Sequence, residues 1–244
     1  MKKFLSLSLL CGLLIAAVGA AHAQVVATVA NLSGVLTVRH ADGSTKLLAL
    51  KSQVEQGDTL ITEANTFARL KFTDASEVVL RPASEVRVDK FSFDETKPES
   101  DGLVISMLKG GMRTVSGLIG KRNRDVVKYV TPTATIGIRG TSIDMQSVLP
   151  PQQDAASSAP AKETLPAGDY FYVVVGKIEV SNPAGSSSFT EGQYSFVATK
   201  GTAPVILPTN PGLQFALPRT VTSAADGKTG SANKSGANAD CAVR

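Results

Sequence analysis

The sequence contains no tryptophan, and aromatic residues of all kinds make up only 5% of its 244 residues. A buried core must therefore rest on aliphatic side chains, within a total hydrophobic content of 43%. Valine and isoleucine favour strands, and the 21 glycines and 12 prolines favour many turns between them. The composition thus favours a β-rich protein and offers few ring faces for sugar stacking.

Cysteine and histidine are also scarce, with two of each. Cys11 falls in an apolar N-terminal run and Cys241 lies near the C-terminal end. Since only Cys241 would remain after loss of that run, we predict no intramolecular disulfide. His40 ends a strand pattern beside a turn, and no G-x-S-x-G motif accompanies it. We therefore predict a protein without enzyme activity and without a cofactor.

The N-terminal segment, residues 1–23, has the pattern of a secretory signal peptide. Lys2 and Lys3 precede the apolar run, and the small-residue triplet Ala21-His22-Ala23 follows it. We predict cleavage after Ala23, a periplasmic or secreted location and no membrane span in the mature chain; an uncleaved anchor is the alternative. Without the two lysines the chain is nearly neutral, so nucleic acid is not an expected partner.

Short alternations of apolar and polar residues, separated by turn residues, follow from Val25 to about Met145. Strand patterns return at Asp169–Val180 and Gln193–Val197. Between these regions, residues 149–168 are rich in proline and low in hydrophobicity, which indicates a flexible insertion. We predict one β domain over residues 24–207 and a disordered, low-complexity tail over residues 208–244.

One sequence pattern occurs twice along the chain. GVLTVRHADGS at 34–44 and GKIEVSNPAGS at 176–186 share their glycines, the valine and the final serine, and each precedes a Gly-polar pair. A shorter echo, GMRTV, occurs at 111–115. Recurring strand units indicate a curled sheet or a short β-solenoid, with chance similarity among Gly-Val strands as the alternative.

The order of motifs resembles the extracytoplasmic FecR domain over about Val25 to Val197. The matching pieces are SGVLTVRHADG, VEQGDTLIT, LKFTDASEVVLRPASEVRV, LKGGMRTVSGLIGK, TPTATIGIRGT, YVVVGKIEV and EGQYSFV. The resemblance implies a non-enzymatic, all-β module that acts through protein contacts. Members that regulate transcription carry a cytoplasmic segment that touches a sigma factor, and only Met1-Lys2-Lys3 precede the apolar run here. We therefore expect the stand-alone exported form. Ala75 stands where the family usually has glycine in a DGS turn.

The most specific of these motifs is TPTATIGIRGT, at 131–141. Alternation places Ala134, Ile136 and Ile138 on a buried strand face and Arg139 on the opposite face. Arg139 could bind loop carbonyls or a carboxylate such as Asp144, or present its charge to an anionic partner. We predict a structural role for the motif residues, namely Thr131, Pro132, Gly137, Arg139, Gly140 and Thr141.

Other charged groups have simpler explanations than chemistry. Asp58, Asp74, Glu77 and Glu85 lie in turn or strand-edge patterns. The acidic loop Asp94, Glu95, Glu99 and Asp101 lacks the ligand spacing of a calcium loop and is predicted to be a solvated hairpin tip. The run Lys121-Arg122-Asn123-Arg124 is expected to keep a loop in water.

Two kinds of partner fit these observations. The first is another cell-envelope protein, docked through an exposed strand edge of this scaffold or signalling module. The second is a glycan, either peptidoglycan or an exported polysaccharide. The case for glycan is weakened because Tyr170, Tyr172 and Tyr194 fall in an apolar region, where burial is the simpler expectation.

Overall fold

The computed structural model describes residues 24–150, residues 165–213 and Pro218. The predicted signal peptide, most of the insertion and most of the tail lie outside these residues. Fifteen strands form one sheet in the described part of the chain. They are β1 (Val25–Ser33), β2 (Leu36–Arg39), β3 (Thr45–Leu48), β4 (Gln53–Glu55), β5 (Thr59–Thr62), β6 (Phe67–Phe72), β7 (Glu77–Leu80), β8 (Glu85–Ser92), β9 (Gly102–Val115), β10 (Val127–Val130), β11 (Thr135–Val148), β12 (Gly168–Asn182), β13 (Gly185–Thr190), β14 (Tyr194–Val197) and β15 (Val205–Leu207).

The sheet curls because two wings meet at the long strand β9. One wing runs β4-β1-β6-β7 and the other runs β3-β2-β5-β8. β9 pairs with β8 along its first half and with β7 along its last residues. Its opposite edge pairs in parallel with β10 and antiparallel with β11, from which the sheet continues through β12 to β14 and β15.

Inward-facing side chains of both wings and of the central strands form one buried cluster. Strict alternation builds it, as in β6, where Ala68, Leu70 and Phe72 point inward between more exposed neighbours. Valine, leucine and isoleucine dominate, with Phe91 and Tyr129 among the largest buried side chains. The all-β prediction is confirmed, and the core is aliphatic because the composition allows little else.

In the part of the chain that the structure describes, helical structure is limited to short connections. α1 (Leu118–Arg122) follows β9, and single 3-10 turns span Pro98–Ser100 and Arg124–Val126. None of the helices in the described ranges has the length and hydropathy that a membrane crossing requires.

The repeated sequence pattern corresponds to two hairpins. In the first, β2 pairs with β3, and in the second the end of β12 pairs with β13. The short echo at 111–115 lies inside β9 instead, so it does not mark a third hairpin. At the other predicted boundaries, β11 ends at Val148 and β12 begins at Gly168. Beyond β15 the chain is still described to Leu213, whose side chain is buried.

Candidate functional site

The first part of the TPTATIGIRGT motif forms the connection between β10 and β11. The Thr131 backbone N–H donates to the Ala134 carbonyl at 2.9 Å, and Pro132 lies half-buried in the same turn. Thr133 donates to the buried carboxylate of Asp169 from its N–H at 2.8 Å and from its hydroxyl at 2.5 Å. The motif's turn is thereby joined to the start of β12.

The last part of the motif forms a bulge in β11. Pairing with β12 shifts register between Arg139 and Ser142, and Gly140 has a φ of 63°, a left-handed conformation that favours glycine. The Thr141 N–H donates to the Ser116 hydroxyl at 3.0 Å, and that hydroxyl donates to the Thr141 carbonyl at 2.9 Å. These contacts tie the bulge to the end of β9. Of Arg139, only the backbone pairing with Lys177 is described.

Gly137, in the middle of the motif, is not explained by conformation or packing. It lies in regular strand, its φ is not left-handed, and an added Cβ would meet no atom within 4 Å. Glycine inside a strand costs roughly 0.5–1 kcal/mol relative to alanine. The missing side chain leaves an open space on the outer face of the sheet.

That space is a cleft of about 230 Å³, which we call the Gly137 cleft. Gly137 forms its floor between two directly paired neighbours, Lys128 on β10 and Glu179 on β12. Arg124 and Asp125 join Lys128 on one wall, and the other wall is formed by Glu179 with Ser181.

The charged side chains around the cleft differ in whether they have a hydrogen-bond or ion-pair partner. The Glu179 carboxylate accepts from the Ser186 hydroxyl at 2.9 Å. Lys128 and Arg124 form no ion pair with any residue that the structure describes. The cleft therefore has two basic groups on one wall, with Asp125 beside them, and one carboxylate on the other.

A buried charge cluster lies elsewhere on the sheet, where β9, β11 and the end of β7 meet. The carboxylate of Asp144 accepts two bonds from Arg113, at 2.9 and 2.6 Å, and one from Arg81 at 3.2 Å. Burial lowers the pKa of Arg81, and the attraction of Asp144 opposes that shift. The carboxylate that we suggested for Arg139 is therefore engaged by these two arginines. Sequence reasoning missed the cluster because its members are far apart in the chain.

A second cluster contains potential metal ligands. Oxygen and nitrogen atoms of His40, Glu55 and Asp58 lie within 4.8 Å of one another. Asp58 is buried, and its two oxygens contact His40 Nδ1 at 2.6 Å and accept from the Glu55 N–H at 2.8 Å. Both Asp58 oxygens therefore already stabilise the turn before β5, so the cluster has the geometry of a structural hydrogen-bond network.

The acidic loop and the basic run, which we expected to be separately solvated, bind each other. Asp101 is only 4% exposed, and its carboxylate accepts from Arg122 at 2.7 Å. Arg122 also donates to the Asp94 and Glu95 carbonyls and lies 4.9 Å from the centre of the Phe93 ring. The prediction of a solvated tip is wrong for Asp101, because a buried carboxylate here is neutralised by an arginine from the next loop.

Comparison with known proteins supports the resemblance seen in the sequence. The model of the family described as FecR protein matches residues 58–159, which include the Gly137 cleft's floor and Asp144. No curated protein matches the chain.

Similar solved structures include two of a candidate anti-sigma factor from Parabacteroides distasonis ATCC 8503, each 14% identical with a TM-score of 0.43. Each covers 61% of this chain, which spans 58% of that protein's length. A cell surface anchoring domain is 25% identical over 26% of this chain and 84% of its own, with a TM-score of 0.26. The family match shows that residues 58–159 of this chain are similar to FecR proteins.

Proposed function

We propose that this chain is an exported, non-enzymatic docking module of the cell envelope. Its FecR domain and the signal-peptide pattern of residues 1–23 support this proposal. Export is tested by N-terminal sequencing of the protein from a periplasmic or secreted fraction, which we expect to begin at Gln24.

The observation that carries the docking role is the open edge at β3. β3 pairs only with β2 among the described strands. The His40 N–H donates to the Ser44 carbonyl, so these two residues form a hydrogen-bonded pair of the hairpin. Hydrogen-bonded and non-hydrogen-bonded pairs alternate along an antiparallel ladder, which makes Thr45 and Leu47 non-hydrogen-bonded positions. Their N–H and C=O groups therefore point away from β2. An extended partner segment can pair with such an edge.

Apolar side chains accompany this open edge. Leu47 is 71% exposed, and Val35 and Leu50, at the adjoining end of the hairpin, are 48% and 58% exposed. Burial of one side chain of this size stabilises a complex by roughly 1.5–3 kcal/mol. The partner that fits is a protein segment with apolar residues at alternate positions.

The test is affinity capture from solubilised envelope with the tagged mature chain and two variants. We expect a specific protein to be retained by the wild type, lost with Leu47→Asp and kept with Ile206→Asp. The matched control lies on β15, another edge strand, where Ile206 is 55% exposed. Retention of the same protein by all three forms would exclude the β3 edge, and retention of none would exclude the docking role.

Glycan binding is the second candidate, and one observation favours it. Tyr172 and Tyr194 stack with ring centroids 4.4 Å apart and are half-buried, although we expected burial for both. Tyr170 alone of the three is buried. A half-buried tyrosine offers an apolar ring face beside a hydroxyl group, and both can contact a sugar. Sedimentation of the mature chain with purified cell wall, lost on Tyr194→Ala, would support this role in place of docking.

A further inference from the structure

We propose that the Gly137 cleft binds a small zwitterion, with its carboxylate towards Arg124 and Lys128 and its ammonium group towards Glu179. This inference does not depend on the docking role of β3. Its first support is the glycine itself. Gly137 has neither a left-handed φ nor a close neighbour, so the open space above it is the feature that the glycine provides.

The second support is the order of charges across the strands. Lys128, Gly137 and Glu179 are consecutive partners on three adjacent strands, so the lysine and glutamate backbones are roughly 10 Å apart at a strand spacing of about 4.8 Å. They form no salt bridge within 4.0 Å across the glycine. A ligand with an anion at one end and a cation at the other would satisfy both side chains.

The balance of charge favours a zwitterion over a simple anion. Arg124 and Lys128 contribute two positive charges to the described lining, and Asp125 and Glu179 contribute two negative charges. A simple anion would be attracted by the two basic residues but repelled by the two acidic ones. Hydroxyl groups of Thr135 and Ser181 add neutral hydrogen-bonding positions beside the charges.

The size and lining of the cleft narrow the ligand further. At about 230 Å³ it is smaller than the roughly 300–1,000 Å³ of sites for drug-sized molecules. The described lining contains no aromatic ring, so a sugar would have no face on which to stack. These properties fit an amino acid or a dipeptide, either free or as the exposed end of a larger molecule.

Calorimetric titration of the mature chain with dialanine tests the proposal. N-acetyl-dialanine lacks the cation, dialanine amide lacks the anion, and inorganic phosphate is a plain anion. We expect saturable binding of dialanine and an affinity lower by on the order of tenfold or more for each of the others. Absence of saturable dialanine binding, or equal binding of N-acetyl-dialanine or phosphate, would overturn the zwitterion site.

Variants then locate the binding. Gly137→Ala should leave the melting temperature unchanged or raised yet weaken dialanine binding at least tenfold, whereas Gly201→Ala, in an exposed turn, should leave dialanine binding unchanged. Lys128→Gln and Glu179→Gln should each weaken binding on the order of tenfold.

Two further variants serve as controls. Lys90→Gln, on the same face and in the same cross-strand row, should have no effect. If Gly137→Ala fails to fold, Lys128→Gln and Lys90→Gln still decide, and equal binding by both would overturn the assignment. Leu47→Asp, which disables the proposed docking edge, should leave dialanine binding intact, so the two proposals fail separately.

Discussion

Ala75 occupies a turn whose geometry belongs to glycine, so Ala75→Gly should stabilise the protein. Its φ is 62°, in the left-handed region. The turn is fixed from several sides, because the buried Asp74 carboxylate accepts from the Ser76 N–H at 3.0 Å and from its hydroxyl at 2.6 Å. The Asp74 carbonyl also accepts from the Leu118 N–H at the start of α1, at 2.8 Å. Alanine therefore has no freedom to leave this conformation.

The size of the effect follows from two opposing contributions. A left-handed L-residue costs about 1–2 kcal/mol, which glycine avoids. Glycine loses about 0.5–1 kcal/mol through its greater freedom in the unfolded chain. The Ala75 methyl group is exposed, so its removal sacrifices little burial. We expect a net gain of roughly 0.5–1 kcal/mol in the free energy of unfolding, or about 1–4 °C in melting temperature for a domain of this size.

Urea denaturation and thermal melting of the mature chain measure this gain. The matched control is Ala64→Gly, since Ala64 is also an exposed turn alanine but its φ is not positive. At position 64 glycine brings only its entropic cost, so we expect the free energy of unfolding to fall by about 0.5–1 kcal/mol. If Ala75→Gly destabilises the protein as much as the control does, the left-handed turn and the argument built on it are wrong.

Three further predictions concern a charge cluster, a close backbone approach and a buried phenol. Asp144→Asn should cost about 3–5 kcal/mol in urea denaturation, because it removes the buried negative charge that the buried Arg81 and the half-buried Arg113 share; a loss below about 1 kcal/mol, typical of surface pairs, would contradict a buried cluster. Gly34→Ala should destabilise more than Gly201→Ala, since its φ is 104° and its Cβ would lie 2.3 Å from Thr66 Oγ1; equal melting temperatures would refute the close approach. Burial raises the pKa of Tyr129 from 10.0 to about 12, so the folded protein keeps this proton when the unfolded chain loses it, and stability should fall as pH rises from about 10 to 12. Tyr129→Phe should remove that part of the fall, and an unchanged pH profile would contradict the assignment.

Much of the fold could be predicted because local patterns and tertiary structure agree. Alternation identified β2, β6 and the first half of β8, since each has one buried face and period-two burial. The glycines of the repeated pattern mark two hairpins, although φ is 85° at Gly43 and 152° at Gly185. The turn at Ala75 is left-handed without a glycine, because the surrounding hydrogen bonds dictate the conformation.

The remaining features depend on contacts between distant parts of the chain. Asp144 lies 63 residues from Arg81 and 31 from Arg113, and only strand order brings the three together. Likewise the pairing of Asp101 with Arg122 required the β8–β9 connection to meet the segment after β9. The periodicity of a single segment carries no information about such contacts between distant segments. The glycine motif could be found in the sequence, but whether Gly137 served a turn, close packing or an open space required the neighbouring strands.

Buried aspartates recur at the connections of this fold. Asp58, Asp74, Asp101 and Asp169 are each buried, and each accepts hydrogen bonds that hold a turn or loop. A carboxylate with several donors can fix a connection as a small network, because those donors offset part of the cost of its desolvation. In a chain for which we predict no disulfide, these networks and the aliphatic core share the task of fixing the loops.

The most direct test of the docking role places a photo-crosslinking amino acid at position 47 in the full-length protein in living cells, with position 206 as the control. We predict one discrete product with another envelope protein after illumination at position 47, and none at position 206. The same product from both positions, or no product from position 47, would contradict docking through the β3 edge.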